Sequence, residues 1–295
     1  MFLPPALQQE LARRRLTAPH ARAQGGVGER PSRAKGAGIE FADHRPYQPG
    51  DDIRALDAVV TARLGTPVVR EFVVSQQLPM LVVLDASASM RVGRPPKSEL
   101  AAGVAGALGF VGLAGGDAVQ AVTFGAGVRV SPRLQGVNRA TELLGWLGQA
   151  RPGGAGTLED ALGRTAARAP KGALVILVGD FLSEDAVRAL DLLHARGQEA
   201  LAVQVLAPEE LEPERLRASP GRAEPLRLDD AEGGGSAVVT LDDATLTRYR
   251  RALEAWTAEL RGSLARHGGR LVRVRADQPL GEVVLREFLA RGIVR

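Results

Sequence analysis

Met80-Leu81-Val82-Val83-Leu84-Asp85-Ala86-Ser87-Ala88-Ser89 is the stretch on which the fold turns. An unbroken apolar run of strand length marks a strand buried on both faces. It ends in an aspartate and a loop of small, hydroxyl-bearing residues. A second such run, Ala173-Leu174-Val175-Ile176-Leu177-Val178, ends in Gly179-Asp180-Phe181. Outward from these two, strands alternate with helices. A small-residue helix is expected from Ser98, its cap, to Gly115. The stretches 118–124 and 128–130 flank Gly125-Ala126-Gly127, a hairpin signal. Helices are expected at 136–149, 158–169, 184–196, 242–267 and 280–291, and strands at 199–206 and 270–274. Such alternation means a mostly parallel sheet covered on both sides, a doubly wound α/β fold. Residues 208–240, rich in Glu, Pro, Gly and Arg, form an irregular insert with room for a hairpin.

Composition narrows the chemistry. The chain has 295 residues, 45% of them hydrophobic, which is the balance of a globular protein. Cysteine is absent, so disulfides, thiolate metal sites and cysteine nucleophiles are excluded. The histidines His20, His44, His194 and His267 are scattered, which disfavours a histidine-built centre. No apolar run of about 18 residues suggests a membrane span, and the opening residues lack the build of a secretion signal. A soluble cytoplasmic protein with no membrane partner is the expectation. Of 38 basic residues only Lys35, Lys97 and Lys171 are lysines. The net charge of +4 is carried by residues 1–50, where Arg13-Arg14-Arg15 and the stretch from Arg22 to Lys35 form a basic arm. Such an arm could touch nucleic acid, but no aromatic residue interleaves with it, so a solvated face is favoured.

In an open parallel sheet, ligands bind beyond the carboxyl ends of the strands. There the chain places Asp85, Ser87 and Ser89, then Asp180, and between them Gly153-Gly154-Ala155-Gly156-Thr157, read as a flexible loop entering a helix. Two carboxylates and three hydroxyls form an all-oxygen donor set suited to a hard divalent cation. Asp85-x-Ser87-x-Ser89, Thr157 and Asp180 resemble the metal-ion-dependent adhesion site of von Willebrand factor type A domains. The resemblance covers about residues 78–295 and implies a Rossmann-like fold binding Mg²⁺, or Mn²⁺ or Ca²⁺. It further implies that Ser87, Ser89 and Thr157 contact the metal directly or through water, while Asp85 and Asp180 act largely through water. A carboxylate from a protein partner would be the last ligand.

Upstream, the run from Gly38 to Asp57, with Thr61-Ala62-Arg63 and Arg70-Glu71-Phe72, resembles the signature of the "domain of unknown function 58" family. Its marked positions are Arg45, Tyr47, Gly50, Asp51, Asp52, Arg54, Asp57 and Arg63; Ala58 departs from the family's usual Trp. Arg45, Arg54 and Arg63 beside Asp51, Asp52 and Asp57 suggest an ion-pair network, or alternatively an interaction face. The organisation expected is a helix and flexible basic arm at 1–38, a small β-rich extension at 39–77, and a type A-like domain at 78–295 with its insert at 208–240. The resemblance implies a non-enzymatic, metal-dependent protein-binding module. Its implied partner is a MoxR-type AAA+ ATPase, in chaperone-like or assembly work. The rival is a haloacid-dehalogenase-like phosphohydrolase using Asp85, Lys171 and Asp180 with Glu184 or Asp185. It lacks the second aspartate two residues after the nucleophile, where Ser87 stands. A nucleic-acid binder acting through the basic arm is the remaining alternative.

Overall fold

The computed structural model describes residues 3–18, 31–75, 77–166, 169–217, 223 and 225–295. Two compact units form: Met1–Arg22 with Pro79–Arg295, and Ala23–Leu78. The first helix, α1 (Pro5–Leu11), belongs to the larger unit. In the smaller unit, β1 (Pro31–Pro46) pairs antiparallel with β2 (Val68–Ser75), with register shifts along the pair. Helix α2 (Ala58–Leu64) lies between them in the chain.

The larger unit continues through β3 (Pro79–Asp85), α3 (Lys97–Ala114), β4 (Ala118–Phe124), β5 (Arg129–Val130), β6 (Leu134–Gln135), α4 (Ala140–Leu147) and α5 (Leu158–Thr165). Next come β7 (Leu174–Gly179), α6 (Asp185–Ala195), β8 (Glu199–Leu206), α7 (Pro208–Leu211), β9 (Pro225–Asp229), β10 (Ser236–Thr240), α8 (Asp243–Ala265) and β11 (Arg270–Arg275). Short helical segments from Leu280 to Ala290, one of them a π-helical turn over Val283–Glu287, end the series. The main sheet has the order β11-β8-β7-β3-β4-β5, with β6 also pairing with β4. Its five long strands are parallel, and only the short β5 and β6 run antiparallel. This is the mostly parallel α/β class that the alternating pattern implies. The order reverses its direction of growth between β3 and β7, the switch point where open α/β sheets bind ligands.

Side-chain alternation along β3 builds both layers. Leu81 and Val83 join a buried cluster with α5, α6 and α8, including Leu162, Leu190 and Leu260. Met80 and Val82 face α3 instead, whose glycines permit close approach: a methyl on Gly112 would lie 2.5 Å from the Met80 sulfur. By length and composition α3 could cross a membrane, yet 78% of it is buried inside the fold. Lys97 and Glu99 in its first turn leave the unbroken apolar run shorter than a span. Ser98 does not cap it; Pro96 precedes the first turn and Lys97 opens it.

The N-terminal boundary differs from the one expected at residue 38. Leu7 and Leu11, four residues apart on one stripe of α1, and Leu3 just before the helix are buried within the larger unit. Helix α1 ends at Leu11, and Leu16 instead bridges Val294, while Arg15 and Arg295 exchange backbone hydrogen bonds. Residues 31–38 are strand, because antiparallel pairing is carried by backbone groups and needs no apolar pattern. The expected arm over 19–30 lies outside the described residues.

Candidate functional site

Beyond the carboxyl ends of β3 and β7 lies a cavity of about 470 Å³. All five expected residues, Asp85, Ser87, Ser89, Thr157 and Asp180, line it. Asp85, Ser87 and Asp180 are buried. Ser89 is half-buried, and Thr157 is exposed. The Asp85 carboxylate accepts from the Ser87 backbone N–H at 2.8 Å, which tightens the loop, and the Ser87 and Ser89 hydroxyls lie 3.0 Å apart. Gly179 is required here: a Cβ on it would come within 2.8 Å of the Asp85 Cβ. Thr157 also accepts from the Asp160 N–H and so caps α5, which holds its hydroxyl at the cavity edge.

The glycine loop is clasped rather than loose. Gly153 N–H donates to Ala86 O, Ala88 N–H to Gly154 O, and Gly156 N–H to Gly125 O, each at 2.9 Å. Gly125 adopts φ +148, and a Cβ there would sit 2.1 Å from Ala86 O. Gly125, Gly154 and Gly156 therefore serve close backbone approach between loops, and the Gly153–Gly156 segment, expected to be flexible, is tied by backbone hydrogen bonds to its neighbours.

Electrostatics at the cavity are dominated by buried carboxylates. Burial, reinforced by the Asp180 carboxylate, pushes Asp85 up to about 7. Lys97 is wholly buried, its Nζ 2.7 Å from Asp180 Oδ2 and 2.6 Å from Glu210 Oε1. Burial opposes its charge, but the Asp180 and Glu210 carboxylates outweigh it and hold the ammonium above its ordinary value. Burial raises Glu210, against the pull of Lys97. One ammonium thus faces several acids, and a second cation would relieve the remaining repulsion. Among the described residues no three Asp, Glu or His side chains converge as metal ligands. The donor set is instead two carboxylates with three hydroxyls, which fits a hard, partly hydrated dication.

Four side chains at or beside this cavity were not singled out as site residues in the sequence: Lys97, Glu210, Glu232 and Trp256. Lys97 had a signal, as one of three lysines among 38 basic residues, directly after Pro95-Pro96 at the start of an apolar helix. Trp256 is only partly buried, and its indole N–H donates to Phe181 O at 2.7 Å. Phe181 holds φ 53, the one non-glycine with positive φ among the described residues, immediately after Asp180. Gln204 donates to Asp180 O at 3.0 Å, so side chains from β8 and α8 fix this strained strand end.

The upstream block forms its own network within the smaller unit. Arg45 grips Asp51 through two bonds of 2.7 and 2.6 Å, and Asp51 also accepts from the Gln48 N–H. Gly50 takes φ +106 in that turn, and the Tyr47 N–H bonds Pro67 O. Asp57 caps α2 and meets His44 at 3.0 Å and Arg70 at 3.8 Å, while Asp52 accepts from the Arg54 N–H. Arg54 and Arg63 make no ion pair among the described residues; the network runs through His44 and Arg70 in their place. The rival's Lys171 is exposed and precedes β7, at the end of the sheet opposite Asp85 and Asp180.

The family model described as "Protein of unknown function DUF58" matches residues 43–259. "Uncharacterized protein Rv1480" of Mycobacterium tuberculosis and "Uncharacterized protein Mb1516" of Mycobacterium bovis are each 31% identical over 250 residues, 82% of this chain and 76% of theirs. Among solved structures, the conserved hypothetical protein BatB from Bacteroides thetaiotaomicron is 18% identical, with a TM-score of 0.46 over 73% of this chain and 98% of that one. The manganese-loaded Plasmodium vivax TRAP protein is 19% identical, with a TM-score of 0.31 over 43% and 57%.

Proposed function

Because this chain belongs to the DUF58 family, whose function is unknown, we propose that its own site defines its work, that of a non-enzymatic, divalent-metal-dependent protein-binding module. One observation carries the reading: Asp85, Ser87, Ser89, Thr157 and Asp180 line a single cavity at the switch point of the sheet. Ser87, Ser89 and Thr157 would hold Mg²⁺ or a similar ion through hydroxyl oxygens, with Asp85 and Asp180 balancing its charge. A bound ion supplies Lewis-acid attraction for a carboxylate on a partner protein. Neutral hydroxyls leave that attraction largely undiminished. The partner class, by resemblance, is a MoxR-type AAA+ ATPase, and the setting is the cytoplasm.

Nothing in the cavity favours the hydrolase reading. Lys171 is remote from it, and Ser87 cannot serve as the acid at neutral pH. The deciding experiment is capture of partners from a cell lysate with Mg²⁺ and again with EDTA, using wild type and Thr157→Ala. Retention that depends on Mg²⁺ and on Thr157 supports the module. Equal capture under chelation places the interface elsewhere. Phosphatase activity lost in Asp85→Asn restores the rival.

A further inference from the structure

The hairpin β9–β10 brings three acids to the cavity, Asp229, Asp230 and Glu232. Their surroundings separate them. Asp229 pairs with Arg227 at 2.9 Å. Asp230 is engaged inside the turn, where its carboxylate accepts from the Glu232 N–H at 2.8 Å and the Gly234 N–H at 3.0 Å. Its own N–H donates to Gly235 O at 2.9 Å. Glu232 lines the same cavity as Ser87 and Ser89, and among the described residues neither an arginine nor a turn N–H engages its carboxylate. We propose that Glu232 is an internal carboxylate ligand: the hairpin tip occupies, within one chain, the place that a partner's acid would take. The inference rests on the metal-site reading above and adds its regulation, since a partner must displace the tip to reach the ion.

Two further features fit a displaceable cover. The two strands form a sheet of their own, apart from the main one. An isolated two-stranded hairpin is marginally stable, so lifting it disrupts no other strand pairing. Leu228 and Val238 on it are exposed rather than packed.

The test uses the full chain with Mn²⁺ as the sole probe, comparing wild type, Glu232→Gln, Asp229→Asn and Asp85→Ala. Calorimetry gives affinity, water-proton relaxation gives the water left on the ion, and trypsin cleavage after Arg227 reports hairpin closure. An internal ligand predicts about tenfold weaker binding in Glu232→Gln, higher relaxation per bound ion, and loss of the Mn²⁺-dependent protection of Arg227. Asp229→Asn should match wild type. Wild-type affinity, relaxation and protection in Glu232→Gln, with none of the three in Asp85→Ala, overturns the internal ligand and leaves the metal site standing. Absence of Mn²⁺ binding by wild type overturns both.

Discussion

Lys97 contributes one positive charge to a buried cluster that also holds Asp180 and Glu210. Removing one partner of a buried ion pair leaves charge stranded in low dielectric, at a cost of about 3–5 kcal/mol. Lys97→Met should lower the free energy of urea unfolding by that amount; a change below about 1 kcal/mol would show that the acids simply take up protons. Gly179→Ala acts more locally. Its methyl would crowd the Asp85 Cβ at 2.8 Å, so Mn²⁺ affinity should fall while stability drops by only about 1–3 kcal/mol. Affinity unchanged from wild type would mean that Asp85 has room to give. These residues mark where sequence reading succeeds and stops. The five oxygen donors were legible because each follows a recognisable strand or opens a helix. Lys97 was not, because its partners stand 83 and 113 residues away and only the folded sheet brings them together.

Among the elements, the strands of the main sheet were readable from their unbroken apolar runs, since burial on both faces leaves no room for alternation. The glycine loop reads as flexible from composition alone, which cannot distinguish a glycine that moves from one that lets two backbones touch. Helix α1 was legible as a helix, but its destination was not, because a three-leucine stripe does not say which surface it covers. Its packing makes a firm prediction. Leu11 is fully buried, so Leu11→Ala should cost about 2–5 kcal/mol, visible as a lower melting temperature. An unchanged melt would mean that α1 is not docked. At the ends of α6 and α8, His194 stacks on His267 with ring centroids 3.9 Å apart. Burial, then His267, pushes His194 down to about 4, with Arg266 acting the same way and Asp191 opposing. The unfolded histidine titrates near 6.5, so between pH 6.5 and 4 the unfolded chain takes up a proton that the folded one refuses. Stability should fall as pH drops through that window, and His194→Phe should flatten the fall. Equal acid sensitivity in both proteins, read from melts at pH 7 and pH 5, would contradict the burial of this ring.

On the scale of the whole molecule, topology does the positioning. Two parallel strands that grow the sheet in opposite directions leave a gap at their carboxyl ends, and loops from both meet there. Asp85 and Asp180 lie at that gap because each ends one of those strands. Strands β8 and helix α8 then lock the second of them through Gln204 and Trp256. The insert between β8 and α8, irregular by composition, supplies Glu210 and Glu232 to the same cavity. The sheet thus gathers strand ends, loops and the insert around one cavity. The central claim is that this cavity holds one divalent ion, and titration calorimetry of Mn²⁺ into wild type and Asp85→Ala tests it most directly. The account predicts one ion bound per wild-type chain and none by Asp85→Ala, with circular dichroism showing both proteins folded. Equal binding by the two proteins, or none by either, would contradict it.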